Sequence, residues 1–366
     1  MHKITFFPLG NADCSLIELE NGRKIILDYA AMKDETDKAD KRCDLKEGIL
    51  SRVEDGEIDV FVITHIDEDH IKGISDLFYL EQAAKYQEGD RIKIKELWVP
   101  AAVILETSPE GESRIVRDEA RHRLRNKGKI KVVSNPEKLE EWLENQNLKL
   151  DDVRHLIMRA GSLADGFSLE DDGVEFFIHS PFSKECDGKD IDRNNAGLLL
   201  AANFEVEGQS TKVIFGADVM REVWEDIIAI TKWAKNEDRL EWDIFDISHH
   251  CSCGVLADDK DDIPKGLSDN IKWLYEEKSN NACIMISKSK PIKDDDKNPP
   301  CYKAQQYYKS IIEKKNGKFI VTMEHPNENS PKPFTIHITK YKAEPQLKSE
   351  SGPSIIIGNK APRQGK

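Results

Sequence analysis

Ten residues carry most of the chemistry this sequence could perform: Thr64-His65-Ile66-Asp67-Glu68-Asp69-His70-Ile71-Lys72-Gly73. His65, Asp67, Asp69 and His70 place four potential metal ligands within six positions. They follow Val60-Phe61-Val62-Ile63-Thr64, an apolar run expected to be a strand buried on both faces. A loop leaving such a strand can turn alternate side chains into one cavity, so that His65 and Asp67 face one ion and Asp69 and His70 another. Imidazole and carboxylate together suit zinc, manganese or iron. The competing reading is a solvated charged loop with incidental histidines, which the strand before it and the helix expected after it (Ile71 to Gln82) disfavour.

The elements around this segment alternate between strands and helices. Ile4–Phe7, Ser15–Leu19 and Lys24–Asp28 are expected strands, the last two joined by Asn21-Gly22, a hairpin signal. Further strands are expected at Ile92–Val99, Val174–Ile178, Leu198–Leu200, Lys212–Phe215, Trp242–Ser248 and Ala282–Ser287. Helices are expected at Ser113–Lys127, Glu137–Asn145, Met220–Trp233 and Tyr302–Lys315, with a closing hairpin of Phe319–Met323 and Phe334–Ile338. Strands then helix, twice over, call for a two-sheet α/β sandwich with helices on the outer faces. One domain over residues 1–345 is expected, with a charged helical insertion at about 83–165 and a loose tail from 346 to 366.

The first motif resembles the metallo-β-lactamase signature His-x-His-x-Asp-His, with Asp67 in place of the second histidine. That variant is similar to the soluble ComEC-like domain and its stand-alone relatives. Further segments agree in order over roughly residues 3 to 310. Gly10-Asn11-Ala12-Asp13-Cys14-Ser15 with Leu27-Asp28 resembles the opening hairpin. Arg193-Asn194-Asn195-Ala196-Gly197-Leu198 resembles the asparagine motif, with glycine where serine is usual. Phe215-Gly216-Ala217-Asp218 resembles the strand-end aspartate, and Ile247-Ser248-His249-His250 the final histidine motif, followed by Cys251 instead of glycine.

The resemblance implies an αββα sandwich of the metallo-β-lactamase fold. It implies a metal site of His65, Asp67, Asp69, His70, Asp218 and His249, with the choice between His249 and His250 open. Asn194 or Asn195 falls where a further histidine would stand, leaving one metal position rich in oxygen. Two arrangements follow: a single ion at Asp69, His70, Asp218 and His249, or a pair with manganese or magnesium at the weaker position. The ion lowers the pKa of a bound water from about 16 to near 7, so hydroxide forms at neutral pH. Asp69 would orient that water, and His250 or Asn194 would contact the substrate oxyanion.

The implied reaction is metal-dependent hydrolysis of a phosphodiester or nucleic acid. The alternatives are hydrolysis of a small acyl substrate such as a lactone or thioester, or a catalytically weak sensor or assembly subunit, since one fold hosts many chemistries. A net charge of −14 repels nucleic acid at long range, so any such substrate needs a local basic patch. The run Arg114, Arg117, Arg121, Arg123, Arg125, Lys127, Lys129, Lys131 is the candidate, although a solvated helix face is the commoner explanation. Seven cysteines without regular spacing argue against a disulfide framework. Cys251-Ser252-Cys253 is read as small buried residues before a zinc site, and His179 as a packed histidine. No stretch approaches the ~20 apolar residues of a membrane helix, and the opening Met1-His2-Lys3-Ile4-Thr5-Phe6-Phe7 is not expected to act as a signal peptide. A cytoplasmic protein without a membrane partner is expected.

Overall fold

The computed structural model describes residues 1–187 and 191–346. Fifteen strands run in chain order: β1 (His2–Phe6), β2 (Ser15–Glu18), β3 (Lys24–Leu27), β4 (Glu57–Val62), β5 (Lys93–Pro100), β6 (Ile130–Val133), β7 (Ile157–Met158), β8 (Val174–Ser180), β9 (Leu199–Val206), β10 (Gln209–Phe215), β11 (Trp242–Asp246), β12 (Ser279–Ser287), β13 (Lys318–Val321), β14 (Phe334–Thr339) and β15 (Lys342–Pro345). They form a nine-stranded sheet, β15-β14-β1-β2-β3-β4-β5-β6-β7, and a six-stranded sheet, β13-β12-β11-β10-β9-β8. The helices used below are α1 (Leu45–Leu50), α2 (Glu68–Ile71), α3 (Ala101–Leu105), α4 (Gly111–Arg125), α5 (Glu137–Asn145), α6 (Arg221–Ala234) and α7 (Tyr302–Lys314).

Three apolar interfaces hold four layers of structure together. Between the sheets, Ile4, Phe6, Ile17, Val60, Val62 and Trp98 meet Phe176, Ile178, Leu200, Val213, Ile244 and Ile284. On the outer face of the larger sheet, Leu16, Ile26, Phe61 and Leu97 pack under α1, α4 and α5 through Ile49, Val116, Leu124, Leu139 and Leu143. On the outer face of the smaller sheet, Ile214, Phe245 and Met285 pack under α6 and α7 through Trp224, Ile227, Tyr308 and Ile311. Strands β4, β10 and β11 are apolar on both faces because both faces are covered. The architecture is the αββα sandwich expected from the sequence.

Several elements differ from expectation. The helix expected over Ile71–Gln82 breaks at Gly73, whose φ of 82° is left-handed, leaving α2 and a second single turn. The segment at 83–165 contains α3, α4 and α5 and the strand expected at Ile92–Val99, observed as β5, but it also adds β6 and β7, and all three extend the larger sheet in parallel. The expected closing hairpin is corrected: β13 pairs parallel with β12 and β14 antiparallel with β1, so its two strands lie in different sheets. Their connection carries Pro326, Pro331 and Pro333, which no tight hairpin turn accommodates. Beyond Gln346, the expected tail lies outside the described residues. Among the described residues, no helix is long and apolar enough to cross a membrane.

Parallel pairing decides where the chemistry sits. The β3–β4 and β4–β5 pairs of one sheet and the β10–β11 and β11–β12 pairs of the other are parallel. Loops at the carboxyl ends of such strands form a crevice. Asp28 follows β3, His65 to His70 follow β4, Asp218 follows β10, His249 and His250 follow β11, and Lys288 follows β12.

Candidate metal centre

Four side chains converge in that crevice: Asp13, His70, Asp218 and His250, all buried, with one potential ligand atom from each within 4.8 Å of the others. Donors held at about 2.0–2.2 Å around one ion lie up to ~4.4 Å apart, so the spacing is that of a single coordination sphere with small adjustment. His70 Nε2 is 3.2 Å from Asp13 Oδ2 and 3.4 Å from Asp218 Oδ2, and His250 Nε2 is 3.5 Å from Asp218 Oδ2.

Each histidine is anchored through its other nitrogen. His70 Nδ1–H donates to Asp28 Oδ2 at 2.8 Å. His250 Nδ1–H donates to the Lys288 carbonyl at 2.8 Å. Thr64 Oγ1–H donates to Asp28 Oδ2 at 2.6 Å, and Thr64 Oγ1 in turn accepts from His65 Nδ1–H at 3.1 Å. Anchoring Nδ1 points Nε2 toward the centre, the orientation that metal-ligating imidazoles require. His65 Nε2, His70 Nε2 and Asp218 Oδ1 are buried and make no hydrogen bond among the described residues. Buried polar atoms without partners cost about 1–3 kcal/mol each. Two imidazoles and two carboxylates of this kind fit a divalent ion such as zinc or manganese.

Local backbone explains how the side chains reach the centre. His249, His250 and Cys251 have φ of 48°, 51° and 67°, three consecutive left-handed residues without a glycine. Such conformations cost about 1–3 kcal/mol each and persist where surrounding structure enforces them. They turn His250 inward, while His249 remains partly exposed with Nε2 3.9 Å from Asp218 Oδ2. Gly216 permits the approach of the two strand ends, because a Cβ there would meet the Asp246 carbonyl at 2.6 Å and collide with Ser248 Oγ. Ser248 Oγ–H bridges the gap by donating to the Gly216 carbonyl at 2.9 Å.

Charge is distributed unevenly through the site. Burial disfavours charge on His70, but Asp218, Asp13 and Asp28 outweigh it and push its pKa well up. The same balance, led by Asp218, pushes His250 to about 9. Burial also opposes ionisation of Asp218, yet His250 and His70 hold it well below the carboxylate range. Behind the centre, Lys288 Nζ pairs with Asp13 Oδ1 and lies 2.7 Å from Asp246 Oδ2. Burial pushes Asp246 up to about 7 despite Lys288.

The remaining expected residues lie nearer the mouth. Asp69 Oδ2 is 3.3 Å from His250 Nε2, and its side chain is 34% exposed. Asp67 is 37% exposed, with Oδ2 3.7 Å from His65 Nε2 and Oδ1 accepting from Arg193 Nη1 at 2.8 Å. The His65 and His70 ring centroids lie 3.9 Å apart, with the planes tilted by 50°. Asn194 and Asn195 have buried Oδ1 atoms without hydrogen-bond partners among the described residues. The sequence reading thus missed Asp13 as a cluster member, together with Asp28 and Lys288 as anchors. Asp13 lay inside a quoted motif, but nothing local marked it as a ligand; Lys288 carried no signal.

Cys253 and Cys301 form a disulfide, one bond and not a framework, since the other five cysteines are free. The Cys253 and Cys301 Cα atoms lie 5.5 Å apart, and Cys301 N–H donates to the neighbouring Cys251 carbonyl at 2.9 Å. Cys251 is a free buried residue, as read. His179 is buried away from the cluster and donates through Nε2 to the Arg239 carbonyl at 3.1 Å. The Lys293–Lys297 run is exposed, and Asn298 and Pro299 after it bond Cys253 and Asn11 beside the Asp13 loop. A cavity of about 590 Å³ lies beside α1, lined by Lys3, Thr5, Arg52 and His337, and none of the four cluster residues lines it. Donor chemistry, not cavity size, locates the site.

No family model matches the chain, and no curated protein matches it. Among solved structures, it is similar to unliganded yeast PDE1, with 11% identity, coverage of 87% of this chain and 97% of that one, and a TM-score of 0.44. It is similar to YhfI from Bacillus subtilis, described as a metallo-β-lactamase fold protein, with 9% identity, coverage of 91% and 99%, and a TM-score of 0.41. It is also similar to Zn²⁺-bound PqqB from Methylobacterium extorquens, with 11% identity, coverage of 88% and 98%, and a TM-score of 0.35.

Proposed function

We propose that this chain is a metal-dependent hydrolase of phosphodiesters, with a small diester favoured over nucleic acid. The observation that carries the reading is the buried Asp13–His70–Asp218–His250 cluster with its partnerless Nε2 and Oδ1 atoms, opening toward Asp69 and Arg193. A divalent ion supplies charge in such a site, polarising a phosphoryl oxygen and acidifying water. The chain's own residues supply the rest. His65, His70, His250, Asp13 and Asp218 present donors. Burial opposes charge on Asp69, but His250 and His70 keep it ionised, so its Oδ2 can accept a proton from an attacking water. Arg193, at the mouth, offers a cation to an anionic phosphoryl oxygen.

The basic run on and after α4 argues for the small substrate. Arg123 is buried against Glu119. Arg121 donates to the Ile104 and Glu106 carbonyls, and Arg117 to those of Glu106 and Thr107. Lys127, Lys129 and Lys131 pair with Asp152, Glu81 and Asp165. Cations already engaged in the fold make a poor track for a phosphate backbone.

The test is elemental analysis of the purified protein, then turnover of bis-p-nitrophenyl phosphate, single-stranded DNA, RNA, a lactone and a thioester with manganese or zinc. Metal-dependent cleavage of the small diester is expected. Turnover of the acyl substrates alone would transfer the assignment to acyl hydrolysis, and metal-loaded protein inert on all five would point to a sensor or assembly role.

A further inference from the structure

Arg193 stands where a second metal ion would need open ligands. A second position beside the buried cluster would draw on His65 Nε2, Asp67 and the free Oδ1 of Asp218. One oxygen of Asp67 is engaged: Arg193 Nη1 donates to its Oδ1 at 2.8 Å, and Arg193 Nε donates to Glu106 Oε2 at 3.0 Å. The guanidinium is thus clamped between two carboxylates, one of which would be a ligand. Glu106 is itself held, because its carbonyl accepts from both Arg117 and Arg121. The position also has one nitrogen donor, since Asn194 and Asn195 occupy the stretch after Arg193 where a further histidine would be needed. Arginine keeps its proton at any pH a protein survives, so this charge is permanent.

We propose that Arg193 is a built-in second cation, so that the centre binds one divalent ion and the guanidinium performs the anion-binding task a second ion would perform. The inference rests on the metal-hydrolase reading above. Two ions about 3.5–4 Å apart clamp the oxygens of a transferring phosphoryl group in dinuclear sites. Here one partner of that clamp is a side chain, 31% exposed, with Nη2 outside both ion pairs. A planar fork of this kind suits a phosphodiester monoanion, which presents two equivalent oxygens. Repulsion between the guanidinium and a nearby dication, added to the engagement of Asp67 Oδ1, weighs against a second ion.

The experiment is a Mn²⁺ titration of the full metal-free chain, followed by equilibrium dialysis and electron paramagnetic resonance. Wild type and Arg193→Lys are expected to bind one equivalent and give an uncoupled spectrum. Arg193→His and Arg193→Ala, which release Asp67, are expected to admit a second equivalent with spin coupling between the ions. Two equivalents in wild type, or one in both releasing variants, overturns the inference and leaves the metal site standing. No bound Mn²⁺ in wild type overturns the metal reading itself.

Discussion

His70 and Asp28 form a buried hydrogen bond of 2.8 Å from Nδ1–H to Oδ2, and neither side chain is more than 2% exposed. Asp28 also accepts Thr64 N–H at 2.8 Å, so one carboxylate locks both the first residue of the motif loop and the ring that closes it. Asp28→Asn keeps the size and weakens the acceptor. Removing such an anchor lowers metal affinity about 10–100-fold. A chelator-competition titration that finds the variant as tight as wild type removes Asp28 from the site.

Two adjacent histidines should separate cleanly. His250 belongs to the cluster and His249 does not. His250→Ala, like His70→Ala and Asp218→Ala, is expected to lose bound metal and diester hydrolysis while circular dichroism stays native. His249→Ala is expected to keep its metal. If the two alanine variants exchange these phenotypes, the inward turn of His250 is misassigned.

What the sequence showed depended on how local the information was. His65 and His70 were legible because the strand before them and the ligand spacing sit in one short run. Asp13 was not, because it becomes a neighbour of His70 only when β1 and β4 take their places in one sheet. The choice between His249 and His250 turns on three left-handed residues, which side-chain type does not encode. The β13–β14 assignment failed for a similar reason. Both runs have strand character, but only long-range pairing decides which sheet receives each.

The disulfide should stabilise the loop that carries His250. Cys253–Cys301 closes 48 residues of separation. A closed loop of that size restricts the unfolded chain by about 4 kcal/mol. Cys301→Ser is expected to lower the urea-derived unfolding free energy by an amount of that order or less, and with it the midpoint, and reductant should do the same to wild type alone. Equal midpoints for oxidised wild type and Cys301→Ser would show that the bond contributes nothing.

His179 should impose an acid limit on stability. Burial pushes its pKa down to about 4, against an unfolded value near 6.5. Between these values the unfolded chain binds the extra proton, so stability is complete above about pH 6.5 and falls as pH drops toward 4. The full loss is on the order of 3 kcal/mol. His179→Gln is expected to flatten this part of the urea-derived stability profile. An unchanged slope between pH 6.5 and 4 assigns the loss to other groups.

The arginines of α4 decide between a structural helix and a nucleic-acid track. Arg121 is half-buried and bonds the carbonyls that end α3, whereas Arg125 is exposed and donates only to Gln146 Oε1, at 3.3 Å. Arg121→Glu removes two charge-assisted bonds and sets a carboxylate against those carbonyls, at a cost of about 2–3 kcal/mol. Because Glu106 links this corner to Arg193, small-diester turnover should fall with stability. Arg125→Glu should change stability by less than about 0.5 kcal/mol, and diester turnover should be unaffected. Cleavage of DNA and RNA, if present, is expected to follow the small diester in both variants. Should Arg125→Glu abolish nucleic-acid cleavage while leaving diester turnover intact, the exposed end of the helix contacts phosphates, and nucleic acid becomes the better assignment.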